Sequence, residues 1–502
     1  MNANLYALLE SRFPADRAKP LLLLPSGRTL SYAEAERGAA RFAALFASRG
    51  LVPGDRLAVQ VEKSPEALLV YLACLRAGLV YLPLNSAYHE GEVAYFLQNA
   101  EPRAVVAQPA SLPWLEPLAG RQGIPHVFSL DDEGGGTLIA AARDVPERIA
   151  TVERSPDDLA AILYTSGTTG RSKGAMITHR NLSSNALALH RAWGFRPDDV
   201  LIHMLPLFHV HGLFVASHCV LLNGTAMRFH PRFDARLALA DFAASTVFMG
   251  VPTFYTRLLA EPGLTREACA RMRLFVSGSA PLLAETHVQF EARTGHRILE
   301  RYGMTETGML TSNPLEAERR AGSVGPPLEG VDVRIVDDDD RPLAAEAIGH
   351  VQVRGPNVFP GYWRMPDKNR EEFTTDGYFR TGDMGSLSRD GYLAIVGRSK
   401  DLIITGGYNV YPKEIELLLD EMPGVRESAV VGVPHADFGE AVTAFLVPRA
   451  GAGAPTESEV IASLKEKLAN FKVPKRVYFV DALPRNAMGK VQKNVLRDRF
   501  RG

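Results

Sequence analysis

LAAILYTSGTTGRSKG, residues Leu159 to Gly174, is the stretch on which the reading turns. Leu159–Tyr164 is an apolar run of strand length, as a strand buried on both faces requires. It leads directly into Thr165, Ser166, Gly167, Thr168, Thr169 and Gly170, with Arg171 and Lys173 close behind. Glycine lets backbone N–H groups approach an anion closely, and hydroxyls and an ammonium add donors. A buried strand opening into such a loop suits a polyphosphate. The loop is not of the Walker A type, which needs a second glycine five residues after the first and a Ser or Thr after the lysine; Ser172 stands five after Gly167, and Gly174 follows Lys173. By composition alone the loop reads equally as a surface segment. Lys173 and the preceding strand favour anion binding.

Outward from this stretch the chain alternates helix and strand patterns. Before it, Tyr32–Arg49 reads as a helix stopped by Gly50, Arg56–Val61 as a strand, Pro65–Arg76 as a helix and Val80–Pro83 as a short strand. After it, Thr246–Gly250 and Leu274–Ser277 read as buried strands. This rhythm predicts an α/β fold with parallel pairing. From Gly330 the pattern changes: Val331, Val333 and Ile335 alternate with Asp332 and Arg334, and Val351 and Val353 with Gln352 and Arg354, as antiparallel strands with one wet face do. Asp337–Asp340 reads as a solvated turn, since four consecutive carboxylates cannot all converge on one ion. In the last hundred residues Pro412 opens a helix. Strands follow at Ser428–Val433, Ala441–Val447 and Arg476–Val480, with a helix near Glu457–Asn470. The expectation is a large N-terminal domain, 1–397, with layered α/β subdomains at about 1–155 and 156–328 and a small antiparallel β subdomain at 329–397. A small mobile α+β domain, 398–502, follows.

The 502 residues carry 56 Lys+Arg against 57 Asp+Glu, a formal charge of −1, so no global basic field exists for nucleic acid or an anionic membrane. Cys74, Cys219 and Cys269 show no disulfide or metal-ligand spacing. The longest apolar stretch, Leu213–Leu222, is interrupted by His218 and falls far short of the roughly 18 residues of a membrane span. A soluble, cytoplasmic protein with no nucleic-acid or membrane partner is expected. His203, His209, His211 and His218 invite a zinc hypothesis. Neither cysteine nor acid stands between them in sequence to join them as metal ligands.

Six further segments recur with the loop in one order: PLFHVHG (Pro206–Gly212), SGSAPL (Ser277–Leu282), ERYGMTET (Glu300–Thr307), YFRTGD (Tyr378–Asp383), GRSKDLIITGGYNVYPKEIE (Gly397–Glu416) and PRNAMGKVQK (Pro484–Lys493). With these the chain resembles the acyl-adenylate-forming enzymes, the family of acyl-CoA synthetases, peptide-synthetase adenylation domains and beetle luciferases. The resemblance spans essentially the whole chain. It implies ATP, Mg²⁺ and coenzyme A: a carboxylate attacks the α-phosphate, giving acyl-AMP and pyrophosphate, and a thiol then displaces AMP. An anion attacking a polyanion needs cations and donors placed in advance.

The resemblance also implies roles. Thr165–Gly170 and Lys173 would hold the phosphates, Glu306 would help hold Mg²⁺, and Thr305 would contact the α-phosphate. Gly278, Ser279, Ala280 and Tyr302 would frame adenine, within a nucleotide site that includes Glu300, Arg301, Gly303 and Met304. Asp383 would accept from the ribose hydroxyls beside Arg398. Lys490 would bridge the substrate carboxylate and the α-phosphate, then leave as the small domain turns about Lys400. Thr405, Gly406 and Gly407 would line the pantetheine tunnel. His209, Ser277 and Met304 would lie at the acid. Lys490 is also the kind of lysine that acyltransferases modify in this family.

The acyl pocket of the family is built partly from the segment matching GVPTFYTRLL (Gly250–Leu259). Arg257 in it could hold a second carboxylate bidentately. That favours a short dicarboxylate, malonate or methylmalonate, and the segment resembles family members acting on malonate. A synthetase for another short acid, a stand-alone enzyme loading a carrier protein and a luciferase-like monooxygenase are the other readings. No carrier-type segment follows the last motif, which favours free CoA.

Overall fold

The computed structural model describes residues 2–165, 172–405, 408–435, 438–449, 451, 453–486 and 489–500. It is a mixed α/β structure with a large N-terminal body and a small C-terminal one. A six-stranded sheet runs in the order His126–Ser129, Ala104–Ala107, Arg56–Gln60, Val80–Pro83, Leu159–Thr165, Lys173–Thr178. All its pairs are parallel except the last, where Thr165 lies opposite Lys173. An eight-stranded sheet runs Gly308–Ser312, Leu299–Met304, Leu274–Ser277, Val247–Gly250, Val200–His203, Ala226–Phe229, Pro20–Leu23, Thr29–Ser31, parallel within and antiparallel at both edges. The division expected at 155/156 does not follow the sheets. Pro20–Leu23 pairs with Ala226–Phe229 and carries Thr29–Ser31 on its other side, while Leu159–Thr165 and Lys173–Thr178 complete the earlier sheet. Periodicity marks a strand but not its partner, and the partners here are far apart in the chain, Leu22 opposite Met227 and Tyr81 opposite Ala161.

The helix Pro65–Ala77 is buried all round because it lies between layers. Ser64 caps it, Pro65 occupies its first turn, and Gly78 ends it at φ 69°. Beside it the helix Tyr32–Ser48 starts in a capping box between Ser31 and Glu34. Asp332–Val336, Gly349–Arg354, Phe379–Leu387 and Leu393–Arg398 form an antiparallel sheet, and the tight turn Ser399–Asp401 follows it. The C-terminal body has its own apolar core around Ile415, Leu419, Val430, Val442 and Leu464. There the strands Val425–His435 and Gly439–Pro448 run longer than their apolar alternation suggests.

Candidate active site

Val200–His203, Val247–Gly250 and Leu274–Ser277 are parallel and end together, and Leu299–Met304 runs parallel beside them. The segments leaving their carboxyl ends carry the site, as in open parallel sheets generally. Gly278 lies where a Cβ would stand 2.4 Å from Cζ of Arg301, so only glycine lets this guanidinium cross the backbone. Arg301 is 3% exposed, and its Nε and Nη2 have no partner among the described residues. Burial lowers its pKa to about 10. Ser277 Oγ and His211 Nε2 are likewise buried without a partner among the described residues. His211 Nδ1 lies 3.3 Å from Ser279 Oγ, and Ser279 is held in the left-handed region at φ 72°. A conformation of this kind costs a side chain of order 1–2 kcal/mol.

His211–Ala216 winds as a π-helix, a form concentrated at functional sites. The backbone N–H of His211 donates to His209 Nδ1 at 3.2 Å, which leaves the His209 proton on Nε2. Burial first, then Arg301 and Lys490, push the His209 pKa down to about 4. His209 is therefore a neutral donor near pH 7. The four histidines do not converge: His203 faces Lys63 and His218 faces Tyr71.

A second group of residues lies towards the third sheet. The Tyr302 hydroxyl donates to Asp383, whose other oxygen pairs with Arg398 Nε at 2.9 Å. Asp383 is buried, and burial together with this carboxylate pushes the Tyr302 pKa well up. Glu306 is also buried and accepts from the Tyr362 hydroxyl at 2.9 Å. Lys173 Nζ lies 4.2 Å from the centre of the Tyr362 ring and 3.5 Å from Glu372. Lys173 and Glu306, far apart in sequence, thus meet on Tyr362, a residue with no motif of its own to single it out. Thr305, Met304 and Ala280 are half-buried, and Gly303 lies where a Cβ would be 2.1 Å from Gly308 O. Glu300 accepts from the Leu282 N–H at 3.1 Å, and burial raises its pKa to about 7.

From the C-terminal body a tight hairpin carries Lys490 into the cleft. Its ends pair at Arg485 and Val491, and Asn486 Oδ1 accepts from the Lys490 N–H at 3.0 Å. The tip reaches the helix Pro252–Leu259: a Cβ on Gly489 would stand 3.4 Å from Thr253 Oγ1. Lys490 keeps solvent access yet sits in the field of Arg398, Asp383, Asp401 and Glu306. Desolvation and then Arg398 lower its pKa. Lys400 is exposed on the turn Ser399–Asp401, and Thr405 is buried in the strand that follows. Ser166, Gly167, Thr168, Thr169, Gly170, Gly406 and Gly407 lie outside the described residues.

Arg257 does not form the buried clamp expected of it. Tyr255 and Leu258 take the inward positions of its helix, and Arg257 is exposed, one turn beyond Thr253. Arg301, by contrast, is a guanidinium buried against Gly278. Elsewhere, an open hollow of about 760 Å³ is lined by arginines already paired, Arg334 with Asp376 and Arg380 with Asp340. The Asp337–Asp340 turn is divided among separate partners, His350 on Asp338 and Arg341 on Asp339. Among the described residues no helix is long and apolar enough to cross a membrane.

Residues 11–363 match the model of the AMP-binding enzymes, and 414–490 that of the AMP-binding enzyme C-terminal domain. ATP-bound MatB from Rhodopseudomonas palustris is 55% identical and superposes with a TM-score of 0.98 over 100% of this chain and 99% of that one. The apo form of the same protein, with the same coverage, gives 0.87, so the arrangement here follows the ATP-bound form. The malonate–CoA ligase of Arabidopsis thaliana is 34% identical over 94% of this chain and 84% of its own length. The sulfoacetate–CoA ligase of Cupriavidus necator is 34% identical over 97% and 96%. The chain belongs to the AMP-binding enzyme family. Within it, the protein is an AMP-forming acid–CoA ligase that works through an acyl-adenylate.

Proposed function

We propose that the acid is malonate, with methylmalonate as a second substrate. The observation that carries this is the buried Arg301 guanidinium, laid across Gly278 with two nitrogens unpartnered among the described residues. An uncompensated buried charge costs several kcal/mol. The second carboxylate of a short dicarboxylate would neutralise it, with Ser277 Oγ and His211 Nε2 completing the polar wall. Arg257, exposed, adds a screened attraction. Relatives named malonate–CoA ligase support the same reading.

The reacting carboxylate would lie between His209 and Lys490. Neutral His209 donates through Nε2 and orients it without adding charge. Lys490 brings the cation that lets carboxylate and α-phosphate approach. Asp383 accepts from the ribose hydroxyls, and Thr165 and Lys173 with the segment 166–170 hold the phosphates. Glu306 is a buried carboxylate, which fits Mg²⁺, an ion that takes one or two carboxylates and is completed by substrate phosphates and water. The small body then turns about Lys400, withdrawing Lys490 and presenting Thr405 and the segment 406–407 to the pantetheine arm.

Thioester formation from MgATP, CoA and a panel of malonate, methylmalonate, sulfoacetate, succinate and propionate tests the assignment. Malonate should lead. Arg301→Met should lower kcat/KM for malonate by roughly 10²–10³, since breaking a buried pair costs about 3–5 kcal/mol and each 1.36 kcal/mol is tenfold. Propionate should lose little, and Arg257→Ala should cost malonate no more than about tenfold. A panel led by sulfoacetate would transfer the same pocket to a sulfonate. An equal loss on every acid with Arg301→Met would make Arg301 structural.

A further inference from the structure

Lys63 is a lysine buried with no ion-pair partner among the described residues. It is 7% exposed, and its ammonium lies 2.7 Å from His203 Nδ1, 2.9 Å from His203 O and 4.3 Å from the centre of the Phe229 ring. Gly212 O can only accept, so the His203 Nε2 beside it carries the proton and Nδ1 of the neutral ring accepts from Lys63, whose pKa burial lowers well below the usual lysine value. That Nε2 lies 2.9 Å from Gly212 O. The same carbonyl accepts from the Ser217 hydroxyl at 2.9 Å and from the Ser217 N–H. Three donors thus meet on one oxygen at the start of the π-helix. Gly212 is pressed so close to the preceding segment that a Cβ there would be 2.1 Å from Pro206 O. Lys63 also lines a cavity of about 50 Å³ together with Pro206, Leu207 and Phe208.

The loop between Pro206 and Gly212 is therefore fixed from behind, and its inner side carries His209 and His211. Lys63 follows the strand Arg56–Gln60 of the six-stranded sheet, while His203 ends Val200–His203 of the eight-stranded one. The contact joins the two sheets at the back of the site. We propose that Lys63 and His203 are positioning residues for adenylation: Lys63 fixes the His203 tautomer, and His203 anchors the Gly212 carbonyl so that His209 and His211 stay aimed at the acid. Neither touches substrate. Loss of the anchor acts on the acid alone, because the contacts of Lys173, Glu306, Tyr302 and Asp383 come from other segments. A misplacement of about 1 Å can cost on the order of 10²-fold in rate.

This rests on the reading that His209 faces the acid, and the test separates the two. Lys63→Met keeps the length and apolar stem while removing the donors; His203→Gln is the second variant, and circular dichroism checks that each folds. Steady-state kinetics with malonate and ATP should show kcat/KM for malonate reduced roughly tenfold to a hundredfold, with KM for ATP unchanged within about twofold. In a His209→Ala background the further loss on adding Lys63→Met should shrink to under about threefold, because residues acting through one group are not additive. If His209→Ala alone spares malonate, the site reading fails. If His209→Ala impairs malonate and both variants leave it at wild-type kcat/KM, or their loss multiplies fully in the His209→Ala background, the positioning role is overturned. Equal losses in the malonate and ATP parameters would also overturn it, since that is what general loosening of the fold produces.

Discussion

Lys490 carries the sharpest consequence for a single residue. It reaches the cleft only through the hairpin Arg485–Val491, and its charge is felt at His209 on one side and balanced by Asp383, Asp401 and Glu306 on the other. A cation so placed serves the approach of two anions and has no part in the attack of a thiol on acyl-AMP. Lys490→Ala should slow acyl-adenylate formation by about 10²–10³, the usual cost of one preorganised donor. Thioester formation from supplied malonyl-AMP should stay within a few-fold of wild type. Pyrophosphate release and CoA consumption, followed separately, check both halves; equal loss in the two would exclude a role confined to the first. Among residues, Lys490, Glu306 and Asp383 stand out in the sequence only through the family motifs that carry them; taken singly, each reads as a solvated or turn residue. For Arg257 the pattern did not reveal the helix phase that leaves the residue exposed, and for Arg301 no local signal marked its burial across Gly278. Lys63 and His203, 140 positions apart, carried no local pattern that could have joined them.

At the scale of elements, the turn Ser399–Asp401, between the antiparallel sheet and the C-terminal body, is the proposed hinge. The exposed pair Arg449–Glu285, at 3.2 Å, bridges the two bodies across the cleft. A pair of that kind contributes about 0–1 kcal/mol and cannot hold one orientation by itself. The backbone can. Leu402 N–H donates to Ser399 O at 3.1 Å, which places Lys400 at the second position of a tight turn, where proline is accepted. Lys400→Pro fixes φ near −65° and so retains the present orientation. It should keep adenylation within about threefold of wild type and reduce thioester formation at least tenfold, since the second step needs the rotation. Rapid-quench measurement of the two half-reactions tests it, and two wild-type rates would place the hinge elsewhere. Elements with a strong period were readable from sequence: Val80–Pro83 and Leu274–Ser277 stand where expected, and the helix at Pro412 runs to Asp420. The π-helix His211–Ala216 was not, because i→i+5 winding leaves no repeat in six residues. Sheet membership was not either, since a strand's partner is set by three-dimensional packing.

The whole molecule holds an unusual number of neutral histidines, and this fixes its response to acid. His179, His203, His209, His211, His218, His287 and His296 are all pushed below their ordinary pKa, burial being the largest cause in each. In the unfolded chain each titrates near about 6.5. As the pH falls through that value the unfolded chain takes up protons that the folded chain refuses, down to about 4 for His179 and His209 and about 3 for His218. Unfolding then consumes protons, so stability is complete above about pH 6.5 and declines as the pH falls. Three carboxyls act in the opposite sense: burial raises Glu300 to about 7, Asp420 to about 6, and Glu10 above its ordinary value. These three groups add stability on acidification over the same window. Seven groups oppose three, and the histidines span both large sheets and the site, so the net effect should follow them. The urea midpoint should be level between about pH 7 and 8, then fall steadily from 6.5 to 4.5. Substituting His218 by Phe, which removes one buried imidazole and keeps the stack on Tyr71, should make that fall shallower. A midpoint that stays level or rises on acidification would mean that the histidines protonate inside the fold, and the neutral His209 on which the acid-orienting role depends would go with it.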